Sequence, residues 1–324
     1  MTALLVVEET SPDELVTASE LAAAQTGSRL GLLAGEQIHV RDLLFALLLQ
    51  SANDAAVALA EHIGGTVEEF VALMNQRARR LGLRDTAFAS PNGLDDRGRS
   101  TAAELATLTA RAMREPLIAR VVESRFRTIA APEGDPRSIQ NRNALLWLYR
   151  GAIGVKTGFT SAAGFCLVAA AERGGMRLGA VVLGAPGEAF SDAAALLDHG
   201  FRTYRLRTLI AEGQELAPVT VEGTKVPAVA ASGLKAVLAE DDAIVITTEV
   251  LPGLVLPVGE GDRLGWAVVI SAGRELGRVP LAAADAAPAE ERGDEEPATD
   301  AAAWWRRVAA GIGAAVASFV ARSL

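Results

Sequence analysis

Gly154-Val155-Lys156-Thr157-Gly158-Phe159-Thr160 reads as a strand that carries an ammonium and a hydroxyl at adjacent positions. Two more apolar runs follow it, Phe165 to Ala171 and Met176 to Leu183, around the turn Arg173-Gly174-Gly175. Runs of this kind joined by a glycine turn predict antiparallel strands. About a hundred residues earlier, Ser51-Ala52-Asn53 breaks a helical pattern with apolar residues at 43, 44, 47 and 48. A second helical run follows from Asp54 to His62 and closes at Gly64-Gly65. One hydroxyl and one amide thus fall between two helices, while the ammonium and the second hydroxyl fall on a strand. The reading is an α/β (α+β sandwich) chain, an antiparallel sheet with helices on both faces.

Further helices are marked by capping boxes, Thr66…Glu69 and Thr101…Glu104. The first presents Phe70, Leu73, Met74, Ala78 and Leu81 as its core face and ends at Gly82; the second stops before Pro116. Phe190 to Leu209 reads as one more helix. From about Gly213 the texture changes to short β-branched runs (Pro218 to Val221, Ala243 to Val250, Trp266 to Ser271) between Gly, Pro and Asp turns, a small all-β module. The expected organisation is a main domain over 1–210, the all-β domain over 211–281, an acidic Ala/Pro/Glu/Asp linker over 282–302, and a terminal helix over 303–324. That helix places Trp304, Trp305, Val308 and Ile312 on one side, with Arg306 and Arg307 off it. Its apolar stretch is shorter than the ~20 residues a spanning helix needs, so an in-plane anchor on a membrane surface is expected.

Composition bounds the partners. The 324 residues carry a formal charge of -9, which disfavours nucleic acid. Cys166 is the only cysteine, so no intrachain disulfide can form; its apolar neighbours predict a packed thiol. His39, His62 and His199 have no metal-ligand spacing, and neither a metal nor another cofactor is expected. The only lysines are Lys156, Lys225 and Lys235. Met1 to Glu9 lacks the basic region and long apolar run of a secretion signal.

SxN followed by KTG is the ordered pair of motifs found in serine enzymes that attack D-alanyl-D-alanine peptides and β-lactams. The chain resembles the D-alanyl-D-alanine carboxypeptidases, the low-molecular-weight penicillin-binding proteins of the serine peptidase type. The resemblance runs through Leu43 to Ala56, Ser90-Pro91-Asn92-Gly93-Leu94-Asp95-Asp96, Asn141-Arg142-Asn143-Ala144-Leu145-Leu146-Trp147 and Gly154 to Gly164. It implies the transpeptidase-type fold, a location outside the cytoplasm at a membrane, and removal of the terminal D-alanine from peptidoglycan stem peptides, with acylation by β-lactams. It assigns catalytic roles to Ser51, as a proton relay, and to Asn53. It gives substrate binding to Lys156 and Thr157. Gly158 lets a peptide lie close to the strand, and the Phe159 N–H is positioned as an oxyanion donor.

The family's third motif, SxxK, supplies nucleophile and base upstream of SxN, and residues 1–50 contain none. Met1-Thr2-Ala3-Leu4-Leu5-Val6 resembles the sequence that follows that lysine, so an N-terminal truncation after SxxK is expected. Ser232-Gly233-Leu234-Lys235 matches SxxK by letter but follows KTG and lies in the β module. Ser90-Pro91-Asn92 is a second SxN and reads as a plain turn. Ser51 as nucleophile is disfavoured, because its only available base, Lys156, is the substrate's cation. The alternatives are a non-catalytic binder of muropeptides or β-lactams, and a β-lactamase-like hydrolase. No Glu-x-x-Leu-Asn-like segment between Ser51 and Lys156 supports the latter.

Overall fold

The computed structural model describes residues 1–131, 135–187 and 189–288. The proposed anchor residues Trp304, Trp305, Val308 and Ile312, and the linker beyond residue 288, lie outside the described residues. Among the described residues no helix is long and apolar enough to cross a membrane. The chain divides into two compact units, Met1–Arg207 with Val237–Asp241, and Thr208–Ala236 with Asp242–Leu324.

The first unit is built around the helix Asn53–Gly64, whose residues Asn53 to Ala60 are all buried. Its alanine-rich stretch, Ala55-Ala56-Val57-Ala58-Leu59-Ala60, leaves room for neighbours on every side, and small side chains let backbones approach closely. The helices Thr2–Glu9 and Val67–Arg80 pack against it. Both capping boxes form: Glu69 N donates to Thr66 Oγ1 over 3.1 Å and Glu104 N to Thr101 Oγ1 over 3.2 Å.

The strands Ala152–Thr160, Gly164–Arg173 and Met176–Ala185 form a three-stranded antiparallel sheet in that order. Side chains alternate across the middle strand. Leu167, Ala169 and Ala171 meet Ala189, Ala193 and Leu197 of the helix Ala189–Thr203. Val155, Val168 and Ala170 join the core of the other helices. Helices therefore cover both faces, and the KTG strand lies at a sheet edge. Gly154, at φ 134°, sits where a Cβ would come within 2.8 Å of Val122 Cγ2, which seats this strand on the helix Pro116–Glu123.

The expected helix from Phe190 to Leu209 is shorter than its reading. It ends at Thr203, and Tyr204–Ile210 is a strand. Tyr204, Arg205, Leu206 and Arg207 alternate apolar and polar, and the period of two wins over helical spacing there. Among the described residues the second unit is all β: a five-stranded antiparallel sheet in the order Val245–Val250, Arg263–Ser271, Arg274–Ala283, Thr224–Ala230, Glu215–Val221.

Candidate active site

The helix that leads to Ser51 changes pitch before it ends. Val40–Phe45 is α-helical and Ala46–Gln50 is one wider π turn. Such turns recur at functional sites because they re-aim the residue that follows. Ser51 then takes the left-handed conformation, φ 60° and ψ 42°. For a residue with a Cβ this costs roughly 1–2 kcal/mol, so the surroundings must hold it. They do so through the loop of residues 26–32. Asn53 N donates to Ser28 O over 2.7 Å, and Asn53 Nδ2 donates to Thr26 O over 2.7 Å. The buried Asp54 carboxylate accepts from the N–H groups of Leu30, Gly31 and Leu32 at 2.9, 2.8 and 3.1 Å. Charge-assisted bonds of this kind are about twice as strong as neutral ones. Asp54, which the sequence marks only as the first residue of a helical run, is a positioning residue.

Across the cleft, Lys156 Nζ donates to Ser51 Oγ over 2.9 Å and to the Thr157 carbonyl over 2.7 Å. This contact joins two motifs far apart in sequence. Burial, and then the positive charge of Arg142, pull the Lys156 ammonium from 10.5 to about 8. Along the strand Lys156 pairs with Val168, Thr157 with Leu167, Gly158 with Cys166 and Phe159 with Phe165. Among the described residues the strand's other edge has no neighbour in the sheet. A Cβ placed on Gly158 would meet only Cys166 Cβ, at 3.7 Å, so packing within the protein does not require glycine there.

Ser51, Asn53, Lys156, Thr157, Gly158 and Phe159 all line one cleft of about 720 Å³. That volume suits a short peptide end or a drug-sized ligand. Residues 26–28, Asn92, Arg142 and Cys166 line it as well. Ser90-Pro91-Asn92 is a turn, with Ser90 Oγ accepting from Gly93 N and Asp95 N. It is also a wall of the cleft, which the plain-turn reading omitted. Cys166 is partly exposed in that wall rather than packed, because its strand partner Gly158 has no side chain to cover it. Arg142 is exposed, and its guanidinium has no hydrogen-bond or ion-pair partner among the described residues. Its signal in sequence was the Asn141-Arg142-Asn143 segment, which carries no stated chemistry until the fold brings it beside Lys156.

Residues 1–187 match a family model described as D-alanyl-D-alanine carboxypeptidase, peptidase S11. The chain is 32% identical over 297 residues to the D-alanyl-D-alanine carboxypeptidase DacF of Bacillus subtilis, covering 87% of this chain and 76% of the relative. It is 38% identical over 196 residues to DacC of Escherichia coli, covering 58% of this chain and 47% of the relative. It therefore spans three quarters of the first relative and about half of the second. Among solved structures, penicillin binding protein 5 from Haemophilus influenzae aligns with a TM-score of 0.66 at 28% identity, covering 89% of this chain and 88% of that one.

Proposed function

The chain belongs to the D-alanyl-D-alanine carboxypeptidase family, and from that premise we propose that its cleft binds peptides ending in D-Ala-D-Ala and serves a serine-type carboxypeptidase reaction through an acyl-enzyme. The observation that carries the reading is the 2.9 Å bond from Lys156 Nζ to Ser51 Oγ, which makes one site of the SxN and KTG motifs.

In this reading the peptide adds to the open edge of the KTG strand. Thr157 and the positive potential of Lys156 and Arg142 take its terminal carboxylate. The Phe159 N–H points at the scissile carbonyl, where negative charge develops. Ser51 passes a proton toward the departing D-alanine, and Asn53 holds the loop that keeps Ser51 in place. Acyl transfer also needs a nucleophilic hydroxyl and a base to take its proton. The family resemblance gives both to SxxK. We place the reaction outside the cytoplasmic membrane, with the peptidoglycan stem peptide and β-lactams as its ligands.

A second reading rests on the same cleft: the 324-residue chain binds muropeptides and β-lactams without turnover. Two measurements on the same preparation separate the possibilities. Calorimetric titration with a D-Ala-D-Ala peptide reports the cleft, and fluorescent penicillin followed by denaturing electrophoresis reports a covalent adduct. Binding without an adduct supports the non-catalytic form for this chain, and an adduct excludes it. If the peptide fails to bind and penicillin leaves no trace, the assignment of the cleft is wrong.

A further inference from the structure

A second concavity, of about 600 Å³, opens beside the cleft. The two share Arg142, and Gln50, the residue before Ser51, lines the second one. Gln140, Trp147 and Leu148 line it too. Its apolar surface is exposed and held in place. Trp147 is 38% exposed and Leu148 77%. Phe126 meets the Trp147 ring edge-on, with 5.8 Å between centroids and 76° between planes. The Arg125 guanidinium lies 5.6 Å from the Trp147 centroid and donates to Leu146 O over 2.6 Å. A ring fixed in this way loses little freedom when a ligand covers it.

The polar groups of the lining fall into two sets. Asn141 is committed to the protein: its amide donates to Val122 O and Ser124 O, and its oxygen accepts from Asn143 N. The others keep capacity. Gln50 uses only its Nε2, which donates to Arg29 O over 2.9 Å. Among the described residues the Gln140 amide, the Arg142 guanidinium and the Trp147 indole N–H have no hydrogen-bond partner. No described lining residue is a carboxylate. A lipid surface meets protruding apolar residues, and its acyl chains gain nothing from glutamine amides. A pyranose ring fits this lining better. Its face carries C–H bonds that can lie on Trp147 and Leu148, and its edge carries hydroxyl and acetamido groups that donate and accept, as the glutamine amides do.

We propose that this concavity is a carbohydrate subsite, one that holds the N-acetylated sugars of a glycan strand beside the peptide cleft. The choice of sugar rests on the function proposed above; the match of ring and amides to a pyranose does not. In that function the peptide's carboxylate sits at Thr157, near Arg142, and the chain runs past the Phe159 N–H toward Thr160. The peptide thus points its own sugar away from the concavity. The sugar held beside Arg142 belongs to a neighbouring strand, and the two sites fill together.

The test is calorimetric titration of the 324-residue chain with chitotetraose, a glycan that carries N-acetyl groups and no peptide. Saturable binding with a Kd below about 1 mM is expected. Trp147→Ala is expected to weaken it at least about tenfold, and Gln140→Ala, an exposed change that disturbs no packing, about threefold. Affinity for a D-Ala-D-Ala peptide should be unchanged in both variants, and glycan and peptide should bind the parent chain simultaneously. Absence of glycan binding, binding that survives both substitutions, or displacement of the glycan by the peptide overturns this inference and leaves the proposed function standing. Sedimentation with phosphatidylglycerol vesicles that depends on Trp147, without glycan binding, also overturns it, in favour of a lipid surface. Glycan binding lost in Trp147→Ala, in a chain that binds no D-Ala-D-Ala peptide, supports the subsite and overturns the proposed function instead.

Discussion

The lowered pKa of Lys156 makes ligand affinity pH-dependent in a way that can be worked out. Burial first, and Arg142 second, hold the free protein's ammonium at about 8. A carboxylate arriving at roughly 4 Å, with an effective dielectric of about 20, favours the charged form by about 4 kcal/mol. That is about three pKa units, enough to return the lysine to its ordinary range in the complex. Binding therefore takes up a proton at any pH between about 8 and the bound-state value. Below pH 8 affinity is flat, because Lys156 is already charged. Above it, affinity falls about tenfold per pH unit, which puts it roughly thirtyfold weaker at pH 9.5 than at pH 7. Calorimetry with a D-Ala-D-Ala peptide from pH 6.5 to 9.5, repeated in buffers of different ionisation enthalpy, measures both the break and the proton uptake.

The same shift has an opposite consequence for the fold. A lysine whose pKa is lowered on folding binds fewer protons folded than unfolded between pH 8 and 10.5. Its cost is fully present below pH 8 and is relieved as pH rises through that window, amounting to about 3 kcal/mol at most. Lys156→Met removes the charge and keeps the apolar stem. It also gives up the bonds to Ser51 and to the Thr157 carbonyl. The net expectation is a gain of about 1–2 kcal/mol in urea unfolding at pH 7, together with weak, pH-independent peptide binding. A flat wild-type affinity profile up to pH 9.5, or a break near pH 8 that survives in Lys156→Met, refutes this account of the lysine.

Two further substitutions probe either side of the cleft. Gly158→Ala is expected to change stability by less than about 0.5 kcal/mol, because the new Cβ finds only an ordinary contact with Cys166; peptide affinity should fall at least about tenfold by titration, since the methyl projects beside Cys166 into the cleft that the proposed peptide would fill. Asp54→Asn replaces one acceptor oxygen by an amide nitrogen facing the N–H groups of residues 30–32. The expected loss is about 2–4 kcal/mol in urea unfolding, and a variant as stable as the parent would mean that this carboxylate does not organise the loop.

Short-range chemistry was legible in the sequence. The capping boxes and the glycine turn between the second and third strands are written within a few residues, and local hydrogen bonds fix them. Ser51, Asn53, Lys156 and Thr157 could be singled out because their residue types are unusual where they stand, in a helix break and on an apolar strand. What the sequence hid depends on separation. The bonds from Asp54 reach back more than twenty residues to Leu30, Gly31 and Leu32. Arg142 matters only because the fold sets its charge near Lys156. Cys166 looked packed because its neighbours in sequence are apolar, whereas its exposure is decided by the glycine opposite it on the next strand. The strand Tyr204–Ile210 is hidden because its short alternation, Tyr204 to Arg207, follows a helix without any break residue.

The two walls of the cleft reach their positions by different means, and that difference bears on how a ligand would act. The SxN wall is strained: a serine with φ 60° after a π turn, held by a loop that a buried carboxylate ties down. The KTG wall is regular sheet, seated on a helix through Gly154. The link between them is the bond of Lys156 to Ser51, made by an ammonium that burial and Arg142 both disfavour. A bond of that kind is weak in the empty protein and strengthens when an anion arrives, because the anion stabilises the charged donor. Ligand binding should therefore tighten the contact between the walls without any rearrangement of either. The Ser51 loop should accordingly gain amide hydrogen-exchange protection on binding a D-Ala-D-Ala peptide, more than the KTG strand does, because the strand is already held by its sheet partner.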